Sequence, residues 1–124
     1  MNPQDFGTHI EYLFAIKCIE KGYKVSFPLH HHSQYDCIVD VGDQLYKVQV
    51  KGSRQEIKDE GNVKVKISNR KSSAYLTDDV DCIAVYVSQY EGFFIIPVTG
   101  NKTIRLSKNN KNSKYFDNFD FIFS

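Results

Sequence analysis

The sequence predicts an α/β domain in which an N-terminal helix packs on a mixed β-sheet. Three observations predict it: a helix with recognisable ends at the N-terminus, a pair of strands joined by Gly42 and Asp43, and two apolar strands later in the chain. Helix, strands, an interruption and more strands are typical of an α/β fold around one mixed sheet. With 124 residues, 41% hydrophobic and 25% charged, we expect a single domain, residues 1–124, with one modest core.

The predicted helix has a start signal, a stop signal and one residue that does not fit its apolar surface. Asn2 can cap the first turn, and the proline that follows suits the first helical position. The helix should end just before Gly22, which can adopt the left-handed conformation there. Residues 10–19 are apolar on most sides, which predicts burial against the sheet. Glu11 is the exception, because an unpartnered carboxylate is costly to desolvate.

Alternating apolar and polar residues, or short apolar runs between turn residues, predict strands at seven places. These are residues 23–27, 35–41, 45–51, 63–67, 81–87, 92–97 and 103–106. Residues 68–76 fit either a short helix or an irregular connection. The segment 98–124 ends in many aromatic residues, which fit core packing or an extension for oligomerisation or DNA contact.

The first pair of strands brings three polar residues to one face. Gly42 and Asp43 fit a two-residue hairpin turn, in which glycine supplies the positive φ angle. In that register Asp36 lies opposite Gln49, and Lys51 is the diagonal neighbour on the same face. A carboxylate, an amide oxygen and an ammonium then converge, which is typical of a metal site with a cation beside it.

Hard cations such as Mg²⁺ prefer oxygen ligands. Asp36 offers a carboxylate, Gln49 an amide oxygen and Val50 its main-chain carbonyl, and Glu11 completes the set if the helix packs across the same face. A metal there activates water and polarises a phosphoryl oxygen, and Lys51 can stabilise the charge that develops. The pattern therefore indicates metal-assisted phosphodiester hydrolysis.

The net charge is only +1, but the basic residues are concentrated in two segments. Residues 51–71 carry seven Lys or Arg against three acids, and residues 102–114 carry five with no acid. Such segregation suits binding to phosphates, although solvated loops also explain charge runs. The candidate DNA contacts are Ser53, Arg54, Lys64, Lys66, Arg70, Lys71 and His31.

These residues resemble the signature of the PD-(D/E)XK nuclease superfamily, in a variant with Gln in place of an acid. The wider string is similar to a branch that includes small phage and bacterial group I intron homing endonucleases. Its matching pieces are Gly7-x-x-x-Glu11, Lys21-Gly-Tyr23, Pro28, Tyr35-Asp36, Val48-Gln-Val-Lys-Gly52, Val80-Asp81 and Pro97.

The resemblance implies a restriction-endonuclease-like core with its active site at the hairpin. It also implies cleavage of double-stranded DNA with Mg²⁺, for which Mn²⁺ can substitute, and it makes Glu11, Asp36, Gln49 and Lys51 the catalytic residues. Archaeal-type Holliday junction resolvases share this layout but usually keep Glu at the position of Gln49. The third hypothesis is a DNA-binding module that has lost catalytic activity.

Three further expectations concern the setting of the protein. A double-strand break needs two hydrolyses, so one site per chain predicts a homo-oligomer, a dimer or a tetramer. No apolar run approaches a membrane span and no signal peptide is apparent, which predicts a cytoplasmic protein, nucleoid-associated when bound to DNA. Cys18, Cys37 and Cys82 lie in apolar segments, as packed, reduced thiols do.

Overall fold

The computed structural model of the protein describes residues 1–30, 32–58, 61–69 and 73–123. The regular elements are α1 (Pro3–Glu20), β1 (Lys24–Ser26), β2 (Cys37–Asp40), β3 (Leu45–Ser53), β4 (Val63–Lys66), β5 (Cys82–Val87), β6 (Gly92–Pro97) and β7 (Thr103–Leu106). Short 3₁₀ turns follow at Ser88–Tyr90 and Lys111–Tyr115. Within the described ranges, no helix combines the length and apolarity that crossing a membrane requires.

Helix α1 starts and stops where its end signals lie. The Asn2 side chain accepts a hydrogen bond from the Asp5 N–H at 2.8 Å, so Asn2 is the cap. At the other end Gly22 has a φ of +90°, and the Tyr23 N–H donates to the Cys18 carbonyl at 3.0 Å. This is a Schellman ending, and both predicted ends of the helix are confirmed.

The expected burial of α1 against the sheet is confirmed. One side is buried, by Ile10, Phe14, Ala15 and Cys18. Tyr12, Ile16 and Ile19, on other sides of the helix, are more than half exposed. The reason is that α1 packs on a single layer, the sheet, so these apolar side chains face outwards.

The expected mixed sheet is confirmed as the central sheet of the fold, and a second, two-stranded sheet accompanies it. Five strands pair in the order β1-β2-β3-β5-β6, with β3 and β5 parallel and the other pairs antiparallel. Strands β4 and β7 pair only with each other, from Val63↔Leu106 to Lys66↔Thr103. We call this two-stranded sheet the ribbon. It forms separately because its apolar face packs on the five-stranded sheet instead of extending it.

The five-stranded sheet therefore has a helix side and a ribbon side. On the helix side α1 packs against side chains of β2, β3, β5 and β6, including Val39, Val48 and Phe93. On the ribbon side Val63 and Val65 pack with alternate residues of β5 and β6. Because β5 and β6 are covered on both faces, nearly every residue in them is apolar, as the sequence indicated.

The C-terminal aromatic residues pack into the core of their own chain. The Phe119 ring lies 5.7 Å from the Phe14 ring between centroids, and Phe121 stacks on Tyr46 at 4.9 Å. The core-packing alternative therefore describes these side chains, while partner or DNA contacts of residues 98–124 stay a prediction. In its described part, residues 68–76 form an irregular connection with one bridge, Ser68↔Ala74. The three cysteines are free and buried, as expected.

Candidate active site

The hairpin of β2 and β3 has the register that the turn residues predicted. Cys37 pairs with Val48, and the Asp36 N–H continues the ladder by donating to the Val48 carbonyl at 2.8 Å. At the other end the Val41 N–H donates to the Gln44 carbonyl at 3.0 Å, and Gly42 has a φ of +111°. The turn therefore consists of Gly42 and the aspartate after it.

The polar residues of the hairpin face a cleft of about 890 Å³ on the ribbon side. Val48 and Val50 point into the core beneath α1, so the alternation of the strand directs Gln49 and Lys51 to the opposite face. The residues that line this cleft include all four that were predicted to be catalytic: Glu11, Asp36, Gln49 and Lys51.

Glu11 was expected to complete the donor set if α1 packs across the face that carries Gln49, and the structure does not meet that condition. The helix lies on the other face of the sheet, because the apolar side chains of β3 that attract it point there. Glu11 nevertheless forms a side-chain hydrogen bond with Asp36. The contact is made at the margin of the sheet, since Asp36 precedes the first residue of β2.

The Asp36 carboxyl group affects the protonation of Glu11. The Oδ2 atom of Asp36 accepts a hydrogen bond from the Val50 N–H at 2.8 Å, which fixes its position. Burial, followed by the charge and hydrogen bond of Asp36, raises the pKa of Glu11 from 4.5 to about 7. The pair therefore keeps a proton on Glu11 at pH values where an exposed glutamate has lost it.

This donor set fits a hard divalent cation. In the part of the chain that the structure describes, no three His, Cys, Asp or Glu side chains cluster as metal ligands. The set instead consists of two carboxyl groups, the Gln49 amide and the Val50 carbonyl, and Mg²⁺ commonly uses one or two carboxylates and keeps several waters. The oxygen chemistry of these groups is the observation in favour, because a cation bound here would take the place of the proton between the two carboxyl groups.

Lys51 is half-buried beside these acids. Its Nζ atom lies 5.6 Å from the centroid of the Tyr75 ring, which is 5% exposed and also lines the cleft. Burial lowers the pKa of Lys51, the charge of Asp36 opposes that shift, and the charge of Lys66 adds to it. Sequence reasoning missed Tyr75, because it lies in an irregular segment where no periodicity indicates which side chains turn inwards.

Ser68 is a second residue of the cleft that sequence reasoning missed. It is 3% exposed, and its hydroxyl is the one buried side-chain polar atom of the described residues that lacks a hydrogen-bond partner. A buried hydroxyl without a partner costs free energy, so this group is available to a ligand. Nothing in the sequence marks it, since a serine after a strand is usually a turn residue.

The predicted DNA contacts fall into three groups. Ser53 is not on the surface: it is 5% exposed, and its hydroxyl accepts a hydrogen bond from the Gln55 N–H at 3.2 Å. Its hydroxyl therefore caps the end of β3, and a DNA contact by Ser53 stays a prediction. Arg54 is exposed, with its guanidinium 4.6 Å from the centroid of the Phe6 ring and donating to the Met1 carbonyl.

The other two groups are the ribbon lysines and the residues without a described position. Lys64 and Lys66 are exposed on the ribbon, and Lys66 also lines the cleft. His31, Arg70 and Lys71 lie outside the described residues. His30 and His32 line the cleft and therefore place the loop before β2 at its rim.

A helix on one face of a mixed sheet, with two acids, an amide and a lysine in one cleft, fits the restriction-endonuclease-like architecture. The profile of the PD-(D/E)XK endonuclease family matches residues 1–122, and the chain belongs to that family. None of the proteins with curated descriptions matches at a significant level.

Two solved structures are similar. The bacterial homing endonuclease I-Ssp6803I has 25% sequence identity and a TM-score of 0.78, and the match covers 97% of this chain and 92% of that one. Hjc, a Holliday junction resolvase from the archaeon Archaeoglobus fulgidus, has 12% identity and a TM-score of 0.55, over 88% of this chain and 86% of that one. The second likeness shows a shared fold alone.

Proposed function

We propose that the protein is a Mg²⁺-dependent endonuclease that cleaves double-stranded DNA at specific sites, as enzymes of intron homing do. The observation that carries the proposal is the convergence of Glu11, Asp36, Gln49 and Lys51 in one cleft, with the two acids close enough to share a proton. The likeness to a bacterial homing endonuclease over nearly the whole chain supports the choice of substrate. The likeness to a resolvase supports the fold but not that activity.

Each residue of the cleft has a role in this proposal. Glu11 and Asp36 hold the cation with the oxygens of Gln49 and Val50, and Asp36 is kept in place by the Val50 N–H. When bound, the cation acts as a Lewis acid and favours deprotonation of the attacking water. Mn²⁺ can take its place, since carboxylate and amide oxygens accept both ions.

On the other side of the scissile phosphate, Lys51 and Ser68 bind oxygens. Lys51 remains close to Asp36, and its ammonium stabilises the negative charge that develops on phosphorus-bound oxygens. The unpartnered Ser68 hydroxyl donates a hydrogen bond to one of these oxygens. Lys66, at the rim of the same cleft, binds a neighbouring phosphate.

The test is cleavage of a supercoiled plasmid library with Mg²⁺, with Mn²⁺ and with a chelator. We expect cleavage with either ion and none with the chelator. Lys51→Ala should lower the cleavage rate by about 100-fold or more while DNA binding changes little, because Lys51 acts on developing charge. The control is Lys17→Ala, which removes an exposed lysine outside the cleft.

Three results would contradict the proposal in different ways. If the protein binds DNA but cuts it with neither ion, it is a DNA-binding module. If four-way junctions outcompete linear duplex as substrate, the activity is that of a resolvase. If Lys51→Ala cuts at the normal rate, the cleft is not the active site.

A further inference from the structure

The outward face of the ribbon carries polar side chains, and its opposite face is apolar and packs on the five-stranded sheet. Lys64 pairs with Arg105 and Lys66 with Thr103, and all four side chains are exposed. The alternate residues, among them Val65, are buried on the ribbon side of the five-stranded sheet. Because one face of the ribbon is held by this core, the other face has a set orientation.

Two cations of this face lie where the strands bring side chains closest. The Ile67 N–H donates to the Lys102 carbonyl at 2.8 Å, so that pair is hydrogen-bonded. The alternation of an antiparallel ladder then makes Lys64 and Arg105 a non-hydrogen-bonded pair, in which side chains approach most closely. Like charges directly opposite each other are destabilising.

Among the described residues, no carboxylate forms an ion pair that relieves that repulsion. In the described ranges of the chain the salt bridge is between Lys21 and Asp120, and neither Lys64 nor Arg105 takes part in one. An arrangement of two adjacent cations that costs stability in the free protein is stabilised when a polyanion binds across it.

The backbone beneath Arg105 is fixed from its other edge. The Arg105 carbonyl accepts hydrogen bonds from the side-chain amides of Asn112 at 2.7 Å and Asn110 at 3.2 Å. Asn112 is itself buried. The Arg105 side chain therefore projects from a rigid support, which favours a directed contact over a diffuse one.

The ribbon also continues the candidate active site. Lys66 lines the cleft that contains Glu11 and Asp36, while Lys64 and Arg105 lie two positions further along the same face. A duplex with a phosphate in the cleft would consequently pass across the ribbon.

We propose that the outward face of the ribbon enters the major groove of duplex DNA and that Arg105 reads a base there. This inference rests on the proposed endonuclease function and adds the element that gives it sequence preference. A two-stranded ribbon fits the major groove, which is about 12 Å wide. The planar fork of an arginine side chain binds the O6 and N7 atoms of guanine with two hydrogen bonds in a fixed geometry, whereas lysine offers a flexible point charge.

The experiment compares the sites cut by the wild type, Arg105→Lys, Arg105→Ala and Lys17→Ala from a random-sequence plasmid library. We expect Arg105→Ala to lose the preference for guanine at one position of the site and Arg105→Lys to weaken it, because lysine keeps the charge without the planar fork. On an oligonucleotide with the preferred sequence, the affinity of Arg105→Ala should fall by about 5- to 150-fold. Lys17→Ala, which removes a cation away from the ribbon, should keep the wild-type preference.

Several outcomes would overturn the inference without touching the endonuclease proposal. Uniform weakening of Arg105→Ala on all sequences, with a shallower salt dependence, would make Arg105 a phosphate contact. Wild-type cleavage without sequence preference, or unchanged preference in both variants, would exclude base reading by this residue. Absence of any cleavage by the wild type would instead remove the function on which the inference rests.

Discussion

At the scale of single residues, the Glu11 carboxyl group should make the stability of the folded protein depend on pH. Its pKa is about 7 in the folded protein and 4.5 ordinarily, so the folded state holds this proton more tightly than the unfolded state does. The stability that the proton confers is complete below about pH 4.5 and is lost as the pH rises through about 7.

The measurement is the melting temperature with a chelator present, at about pH 5 and about pH 8. Between these values the wild type should lose more stability than Glu11→Gln, whose amide does not titrate. Because other groups titrate in both proteins, the difference between the two profiles is the relevant quantity. Parallel profiles would mean that the pKa of Glu11 is not raised in the folded protein.

The second prediction concerns Ser68. Its replacement by alanine should lower activity without lowering stability. Ser68→Ala removes a hydroxyl that has no partner in the folded chain, so the free energy of unfolding should stay the same or rise slightly. If the hydroxyl binds a phosphoryl oxygen, the single-turnover cleavage rate should fall by about 10-fold, as expected for one hydrogen bond to a charged group.

The matched control for Ser68 is Ser53, also buried. Ser53→Ala removes a hydroxyl that accepts the Gln55 N–H, so it should lower the free energy of unfolding by about 1 kcal/mol and leave the cleavage rate unchanged. Urea denaturation and single-turnover kinetics measure both quantities. An unchanged rate in Ser68→Ala would show that its hydroxyl takes no part in the reaction.

At the scale of elements, Gly52 sets how closely α1 approaches β3. A Cβ atom at this position would lie 2.5 Å from Ile10 Cδ1 and 2.6 Å from Phe6 Cε2. Gly52→Ala should therefore push side chains of the helix away and cost about 1–3 kcal/mol in unfolding free energy. Because Glu11 follows Ile10 on the helix, cleavage should also slow.

Gly7 on the same helix provides the control. A Cβ atom there would have no heavy atom within 4 Å, and the backbone is helical, so Gly7→Ala should stabilise the protein by about 0.5–1 kcal/mol. Chemical denaturation of both variants measures the effect. If Gly52→Ala is as stable as the wild type, the close packing of α1 on β3 is not what positions Glu11.

The elements also show where sequence reasoning succeeds. The register of β2 and β3 follows from their turn and their alternation, which are local features, and the ends of α1 follow from Asn2 and Gly22. The pairing of β4 with β7 joins segments far apart in the chain, so the alternation in each strand does not reveal its partner. For the same reason the sequence did not single out Arg105, whose neighbour across the ribbon is Lys64.

The candidate site also has features that the sequence predicts and features that it does not. Asp36, Gln49 and Lys51 belong to one hairpin, and their common face could be predicted. The side of the sheet on which α1 packs could not, because it depends on which apolar face of β3 gains more burial. Ser68 was missed because an irregular connection has no period that indicates its direction.

At the scale of the whole molecule, α1, the five-stranded sheet and the ribbon form three layers. The middle layer supports the candidate site, which lies on its ribbon side. Strands β5 and β6 are buried between α1 and the ribbon, so the sheet has little freedom to deform. The cleft opens on the ribbon side at the margin where β2 begins, and the basic face of the ribbon adjoins it. If the cleft that holds the predicted catalytic residues cuts one phosphodiester bond, as proposed, the second strand of a duplex requires a second copy of the chain.

The last prediction is that the active particle is a homo-oligomer, a dimer or a tetramer, in which two clefts cut the two strands. Sedimentation velocity should give a mass of at least two chains, and the wild type should convert a supercoiled target plasmid directly to the linear form. An equimolar mixture with Lys51→Ala should accumulate nicked circles, because mixed particles hold one competent and one impaired cleft. Mixing with Lys17→Ala should still give linear product, and a Lys51→Ala mixture that does the same would mean that each chain cuts independently.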